Sequence, residues 1–185
     1  RDANLTIDIS GGAAAWNQST AKPAEDIEDW FGDLEAPATH VIFGPGTFRA
    51  AIGSEEFKEL ASTRRGSETT FEMAPAETDA FYRGRFGETG PELWEYKGWY
   101  KDAQGNKQYF IPYGHVVIVS AAGARGVRSY GAILDANAQY QEAELWPKNF
   151  TTDDPGIEYV MTQSGPLPIL RRIDATMCAQ VLPTP

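Results

Sequence analysis

The sequence predicts an α+β fold, and three observations carry that prediction. The second half of the chain is dominated by period-2 stretches rich in Val, Ile, Thr, Tyr and Trp, the pattern of strands with one buried face. One segment near the N-terminus, Pro23 to Leu34, has instead the 3.6-residue period of an amphipathic helix. Finally, the run from Gly156 to Leu182 contains Ser164-Gly165-Pro166-Leu167-Pro168, and two prolines two residues apart forbid helix there, because each fixes φ, lacks a donor and pushes its predecessor toward extended backbone.

In chain order, Asn4 to Ile9 alternates Leu5, Ile7 and Ile9 with polar residues and reads as a short strand ended by Gly11-Gly12. The helix that follows begins on Pro23, carries acids in its first turn where the dipole favours them, and places Ile27, Trp30, Phe31 and Leu34 on one face. Gly32 within it costs about 1 kcal/mol against alanine. Thr39 to Phe43 is a β-branched, aromatic strand, and Gly44-Pro45-Gly46-Thr47 turns it into a helix with Phe48 and Ile52. That helix is interrupted at Gly53 and resumes after a Ser54 N-cap with Phe57 and Leu60, ending at Arg64-Arg65-Gly66. Between Gly66 and Gly90 two readings stand: a strand at Phe71 and Met73, and a helix over Ala76 to Phe86.

Trp94, Tyr96, Gly98 and Tyr100 alternate with Glu95, Lys97 and Trp99, and Asp102 to Asn106 is a turn before Gln108 to Val119, so this region reads as one aromatic hairpin. Val116 to Val119 is continuously apolar, as in a strand covered on both faces. After the small-residue loop Ala121 to Gly126, Val127 to Leu134 is a further strand. The run from Gly156 to Leu182 reads as two extended pieces meeting at the proline corner. Beyond it Leu167, Ile169, Ile173, Ala175, Met177, Ala179 and Val181 share one register, that of a long strand running between two lobes.

Composition limits what these elements do. At 185 residues the chain forms one domain or two lobes, and a chain of this size buries roughly 70% of its unfolded surface. Sixteen basic against 26 acidic side chains give a formal charge of −10, the wrong sign for a protein that binds nucleic acid by neutralising phosphates. The single cysteine, Cys178, excludes a disulfide framework, and no apolar run of about 18 residues is present to span a membrane.

The search for chemistry yields no catalytic, cofactor-binding or metal-ligating set. Gly44-Pro45-Gly46 lies where a phosphate loop belongs, between strand and helix, but has neither a third glycine at dinucleotide spacing nor Gly-Lys-Ser/Thr, so it reads as a tight turn. His40 and His115 have no companion at metal-ligand spacing, no serine occupies a nucleophile elbow, and Cys178 sits as a packed strand residue. The pairs Glu142/Glu144 and Asp153-Asp154 read as solvated acidic surface. A binding or structural role is therefore favoured over an enzyme. One candidate is a monomeric carbohydrate- or peptide-binding module on the aromatic hairpin Leu93 to Phe110.

Four stretches point to the other. Tyr109-Phe110-Ile111-Pro112-Tyr113-Gly114-His115-Val116, Gly126-Val127-Arg128-Ser129-Tyr130-Gly131-Ala132-Ile133, Trp146-Pro147-Lys148 and Asp154-Pro155 followed by Gln163-Ser164-Gly165-Pro166-Leu167-Pro168 resemble, in order, the major capsid protein E family of lambda-like tailed bacteriophages. The family usually has alanine at the place of Gly165 and valine-proline after the hinge, where this chain has Ile169-Leu170. The resemblance implies the Hong Kong 97-like capsid fold and a major capsid subunit of the virion head, assembled in the host bacterial cytoplasm. It implies self-association into capsomers and shell, with scaffolding or decoration proteins as possible partners, and no cofactor, small-molecule ligand, membrane or specific nucleic-acid site.

On this reading residues 1–38 hold a peripheral-domain strand and part of the spine helix, 39–155 the axial domain, and 156–185 strands returning to the peripheral domain. Gly165, Pro166 and Pro168 form the hinge. The basic pairs Arg64-Arg65, Arg125/Arg128 and Arg171-Arg172 are candidates for contacts with acidic neighbours. The family's N-terminal arm and extended loop have no counterpart here; the chain begins at Arg1, and they are expected upstream of it.

Overall fold

The structure, a computed structural model, describes residues 6–57, 79–86, 89–152 and 156–184. In chain order its elements are β1 (Thr6–Asp8), α1 (Pro23–Asp33), β2 (His40–Phe43), α2 (Thr47–Gly53), β3 (Ala80–Arg85), β4 (Glu92–Tyr96), β5 (Trp99–Lys101), β6 (Lys107–Tyr109), β7 (His115–Val119), the single-turn α3 (Ala121–Ala124), β8 (Val127–Tyr130), β9 (Trp146–Thr152), β10 (Ile157–Gln163), β11 (Pro166–Ile169) and β12 (Thr176–Gln180). They fall into two compact units, one made of Arg1–Ala124 with Arg172–Pro185 and the other of Arg125–Arg171.

The first unit is built on a six-stranded mixed sheet in the order β1-β12-β7-β2-β4-β3. β1 with β12 and β2 with β4 are parallel, and the remaining pairs are antiparallel. Alternation sets what each strand buries: Val41 and Phe43 of β2, Leu93 of β4, Val116 and Ile118 of β7, and Met177 and Ala179 of β12 all lie on the covered face. The opposite face keeps Val117 and Val119 half-exposed, so β7 is not covered on both sides as its continuous apolar run predicts.

α1 closes the covered face with the stripe expected of it. Ile27 and Trp30 are buried, Trp16 stacks on Trp30 with centroids 6.0 Å apart, and Trp16 also meets Phe43. Burying a side chain such as Ile27 contributes about 1.5–3 kcal/mol. Lys22, the residue before the helix, makes no side-chain cap; instead Glu56, about thirty residues on, accepts from the backbone N–H of Ala24 at 2.7 Å and of Glu25 at 3.1 Å. Ser54 accepts from the N–H of Phe57 at 3.3 Å, as its N-cap position predicts, while Leu60 and Arg64-Arg65-Gly66 lie outside the described residues.

Trp16 Nε1 donates to Asp26 at 2.8 Å, yet burial raises the Asp26 carboxyl above its ordinary range, with Glu56, Asp29 and Glu25 adding repulsion. Its folded-state pKa exceeds the unfolded value, so the stability this group contributes is present at low pH and lost as pH rises through the raised value. We therefore expect Asp26→Asn, which keeps an acceptor for Trp16, to melt a few degrees above the wild type at neutral pH and to lose that advantage below about pH 4. Equal melting temperatures at both pH values would contradict it.

Gly44-Pro45-Gly46 is a turn whose glycine is required. Gly46 has φ 87°, and a Cβ on it would stand 2.7 Å from the Tyr113 ring. At Gly114, φ 79°, a Cβ would stand 2.7 Å from the Leu182 carbonyl oxygen, and the Gly114 carbonyl accepts from the N–H of Val181 at 2.8 Å.

Several expectations are corrected. The single aromatic hairpin is three pieces: β4 and β7 belong to the large sheet, and only β5 and β6 pair as a hairpin, around Asp102, whose carboxylate accepts from the N–H groups of Gln104 and Asn106. The helix considered over Ala76 to Phe86 is strand over Ala80–Arg85, because Phe81, Tyr82, Gly84 and Arg85 find pairing partners on β4; Phe71 and Met73 lie outside the described residues. The strand from Val127 ends at Tyr130, where Gly131 breaks the run, with only an isolated bridge from Ala132 to Glu142 beyond. The long C-terminal strand is interrupted by a 3-10 turn at Ile173–Ala175, and Leu167, Ile169 and Ile173 of its apolar register are exposed while Ala175, Met177, Ala179 and Val181 are buried. Strands from 1–38, 39–155 and 156–185 all contribute to the six-stranded sheet.

Candidate functional site

The proline corner lies inside the second unit. β10 ends at Gln163, Ser164 and Gly165 make the bend, and β11 pairs antiparallel with β8 in the register Pro166↔Tyr130, Leu167↔Ser129, Pro168↔Arg128 and Ile169↔Val127. Gly131 N–H donates to the Gly165 carbonyl at 2.9 Å, which makes the Gly165/Gly131 pair hydrogen-bonded. Hydrogen-bonded pairs recur every second residue in an antiparallel ladder, so Leu167 and Ile169 direct their N–H groups at β8, and Pro166 and Pro168 occupy the positions whose donors would point away. Both prolines are thus accommodated at no loss to the ladder, and they strip the outer edge of β11 of donors.

Polar contacts fix the corner. Ser164 Oγ donates to the Glu144 carbonyl oxygen at 2.6 Å, and Tyr130 OH to Glu144 Oε1 at 2.9 Å. Around them opens a shallow groove of about 890 Å³ that includes Arg128, Leu145, Pro166 and Pro168 in its lining. Lys148 Nζ meets Asp135 Oδ2 at 2.6 Å and holds that carboxyl below its usual range.

The candidate arginines divide. Arg172 is engaged within its own chain, donating to Asp174 through Nε at 3.1 Å and Nη2 at 2.8 Å with Glu35 at 3.9 Å, which raises its pKa and lowers that of Asp174. Arg125, Arg128 and Arg171 are exposed, and Arg125 holds a positive φ of 44°. Arg125 and Arg171 stand at the two points where the chain passes between the units, while Arg64-Arg65 lies outside the described residues. Asp153-Asp154 does as well; Glu142 and Glu144 are exposed, as a solvated acidic surface predicts.

Apolar surface is the site feature that periodicity missed. β9 and β10 pair over seven residues, yet every described residue of β10 before Gln163 is exposed, and Phe150 stacks on Tyr159 in solvent with centroids 5.1 Å apart. Leu134 at 84%, Val160 at 78% and Leu167 at 58% exposure are further apolar side chains that the second unit leaves in solvent. Exposed apolar patches of this kind mark contact surfaces. Their sequence signal is a paired strand with apolar residues in both registers, as in Ile157, Tyr159 and Met161 against Val160. Among the described residues no cluster of three His, Cys, Asp or Glu side chains is placed to hold a metal, and no helix is long and apolar enough to cross a membrane.

The described residues thus leave aliphatic strands in solvent and gather polar groups around a bend. The chain belongs to the phage major capsid protein E family, which it matches over residues 1–181. It is 32% identical over 190 residues to the major capsid protein of Escherichia phage lambda, covering 98% of this chain and 54% of that protein. Against the major capsid protein of Escherichia phage N15 it is 32% identical over 171 residues, covering 88% and 49%. The crystal structure assigned as a capsid protein of an Escherichia coli CFT073 prophage superposes with a TM-score of 0.74 at 25% identity, covering 98% of this chain and 53% of that one. A phage-related protein from Bordetella bronchiseptica shares the fold alone, with a TM-score of 0.55 at 11% identity over 97% and 57%. The chain spans about half the length of these relatives.

Proposed function

We propose that this chain is part of a major capsid subunit of a tailed bacteriophage or prophage, a structural protein that builds the icosahedral head around the DNA and catalyses nothing. The observation that carries this reading is the family match along nearly the whole chain, joined to relatives that are named major capsid proteins at 32% identity. The exposed apolar strands of the second unit support it, since shell subunits bury such surface only against one another. The aromatic-hairpin binding module has no support among these relatives.

The finer reading is the Hong Kong 97-like fold. In it the helix from Pro23 serves in the spine, the strands within 39–155 form the axial lobe, and 156–185 returns toward the periphery about Gly165, Pro166 and Pro168. Assembly in the host cytoplasm, with scaffolding or decoration proteins as partners, belongs to the same proposal. Net charge of −10 is compatible with an inner wall that does not adhere to packaged DNA. Electron microscopy of the expressed subunit tests the reading: closed shells or rings of capsomers are expected, and a dispersed monomer under all assembly conditions would overturn it.

A further inference from the structure

Two surfaces of the first unit carry like-charge strain of opposite sign. On α1, Glu25, Asp29 and Asp33 follow one another at i, i+4 and i+8, with Glu28 beside them; all four are exposed, and the last turn holds no basic residue. Like charges at i, i+4 destabilise a helix, and an acid in the last turn opposes the dipole. Lys22 meets Glu25, but among the described residues Glu28, Asp29 and Asp33 have no ion-pair partner.

The β5–β6 hairpin is the counterpart. Lys101 and Lys107 stand directly opposite each other at its last pair, a cross-strand arrangement that destabilises a sheet. Lys107 is held over the rings of Trp99 and Tyr109, at 4.9 Å from each centroid. Trp99, Tyr100 and Phe110 are 46%, 46% and 61% exposed, and the sole acid between Lys97 and Tyr113, Asp102, is turned into its own turn. In a chain of net charge −10 this is a cationic, aromatic tip of three-residue strands, too short to be stable for its own sake.

We propose that the β5–β6 hairpin docks on the acidic face of α1 of a second copy of this chain, with Lys101 and Lys107 against Glu28, Asp29 and Asp33. Charge complementarity selects the occupant: each surface relieves the repulsion built into the other, and the exposed rings gain apolar cover in the same contact. The two surfaces differ, so the contact is head-to-tail and propagates around a ring, as capsomers need. This rests on the capsid reading and names the contact by which copies meet.

The test is a charge-reversal cross on the purified chain, followed by sedimentation velocity, with melting curves as controls for folding. Wild type is expected to self-associate at low ionic strength and to dissociate in 1 M salt, where the Debye length is roughly 3 Å. Lys101→Glu with Lys107→Glu, and separately Glu28→Lys with Asp29→Lys and Asp33→Lys, should each weaken association about tenfold or more, and an equimolar mixture of the two variants should restore it. The milder Lys101→Gln with Lys107→Gln is expected to fall between, and it serves if a reversal impairs folding. A wild-type chain that stays monomeric, association indifferent to the reversals, or a mixture of folded variants that does not recover would each overturn the docking. Particle formation by microscopy is read separately, so shells that persist through both reversals would remove this contact and leave the capsid reading standing.

Discussion

Glu95→Ala is expected to destabilise the first unit by about 3–5 kcal/mol, the cost of removing one partner from a buried ion pair. Glu95 shares the covered face of β4 with Leu93 and is 4% exposed. Its carboxylate accepts from Arg83 Nε at 3.0 Å and also from Nη2, while Lys97 Nζ reaches the other oxygen at 2.8 Å. Arg83 is aimed inward by a bulge, since the register of β3 against β4 shifts between Tyr82 and Gly84, and Arg83 is the extra residue. Its guanidinium then lies 5.1 Å from the Phe48 ring centroid and 5.4 Å from that of Phe81. Without Glu95 two cations face each other with the guanidinium still largely shut off from water, its side chain only 10% exposed. Urea unfolding measures the loss, and a change under about 1 kcal/mol would show that water reaches Arg83 after all.

That pair also shows where sequence reasoning stops. Glu95 alternates with aromatic residues as a solvent-facing residue would, and period alone reads β4 as an extended piece of a hairpin, misjudging both its sheet partners and the polar residue it buries. The same limit hides Glu56, which caps a helix about thirty residues earlier in the chain through two backbone bonds that no local pattern encodes. Elements whose stability is local were legible: the stripe Ile27, Trp30 and Leu34 of α1, the alternation of β2, and the register of Met177, Ala179 and Val181.

Leu167 and Ile169 continue that last register in sequence yet lie in solvent, because hydrophobicity states what a residue would gain by burial and not whether a partner within the chain is there to bury it. On the proposed capsid reading, part of the apolar pattern is written for a neighbouring copy. The corner at Pro166 and Pro168 was legible as non-helical from proline geometry alone. Which of its edges the prolines guard required the pairing with β8.

Replacing Pro166 and Pro168 together by alanine is expected to change the fold little and particle formation greatly. Neither proline gives up a ladder hydrogen bond, and each limits the unfolded chain, so the double substitution should cost only about 1 kcal/mol per proline through added unfolded-state entropy. Two N–H donors would then appear on the outer edge of β11, beside the exposed Leu167 and Ile169, and such an edge recruits strands from other molecules. The bend at Ser164-Gly165 would also lose the φ restraint on the residues that follow it. We propose that this corner fixes the direction in which β10 leaves β11; a shell repeats one angular error at every subunit contact, and a head-to-tail interface that misses its closure angle gives open or aberrant polymers. The measurement compares melting temperature with particle morphology for the subunit carrying both substitutions. Tubes, open sheets or aggregate from a variant whose melting temperature falls only slightly are expected, and normal closed shells from the same variant would reduce the corner to a passive turn.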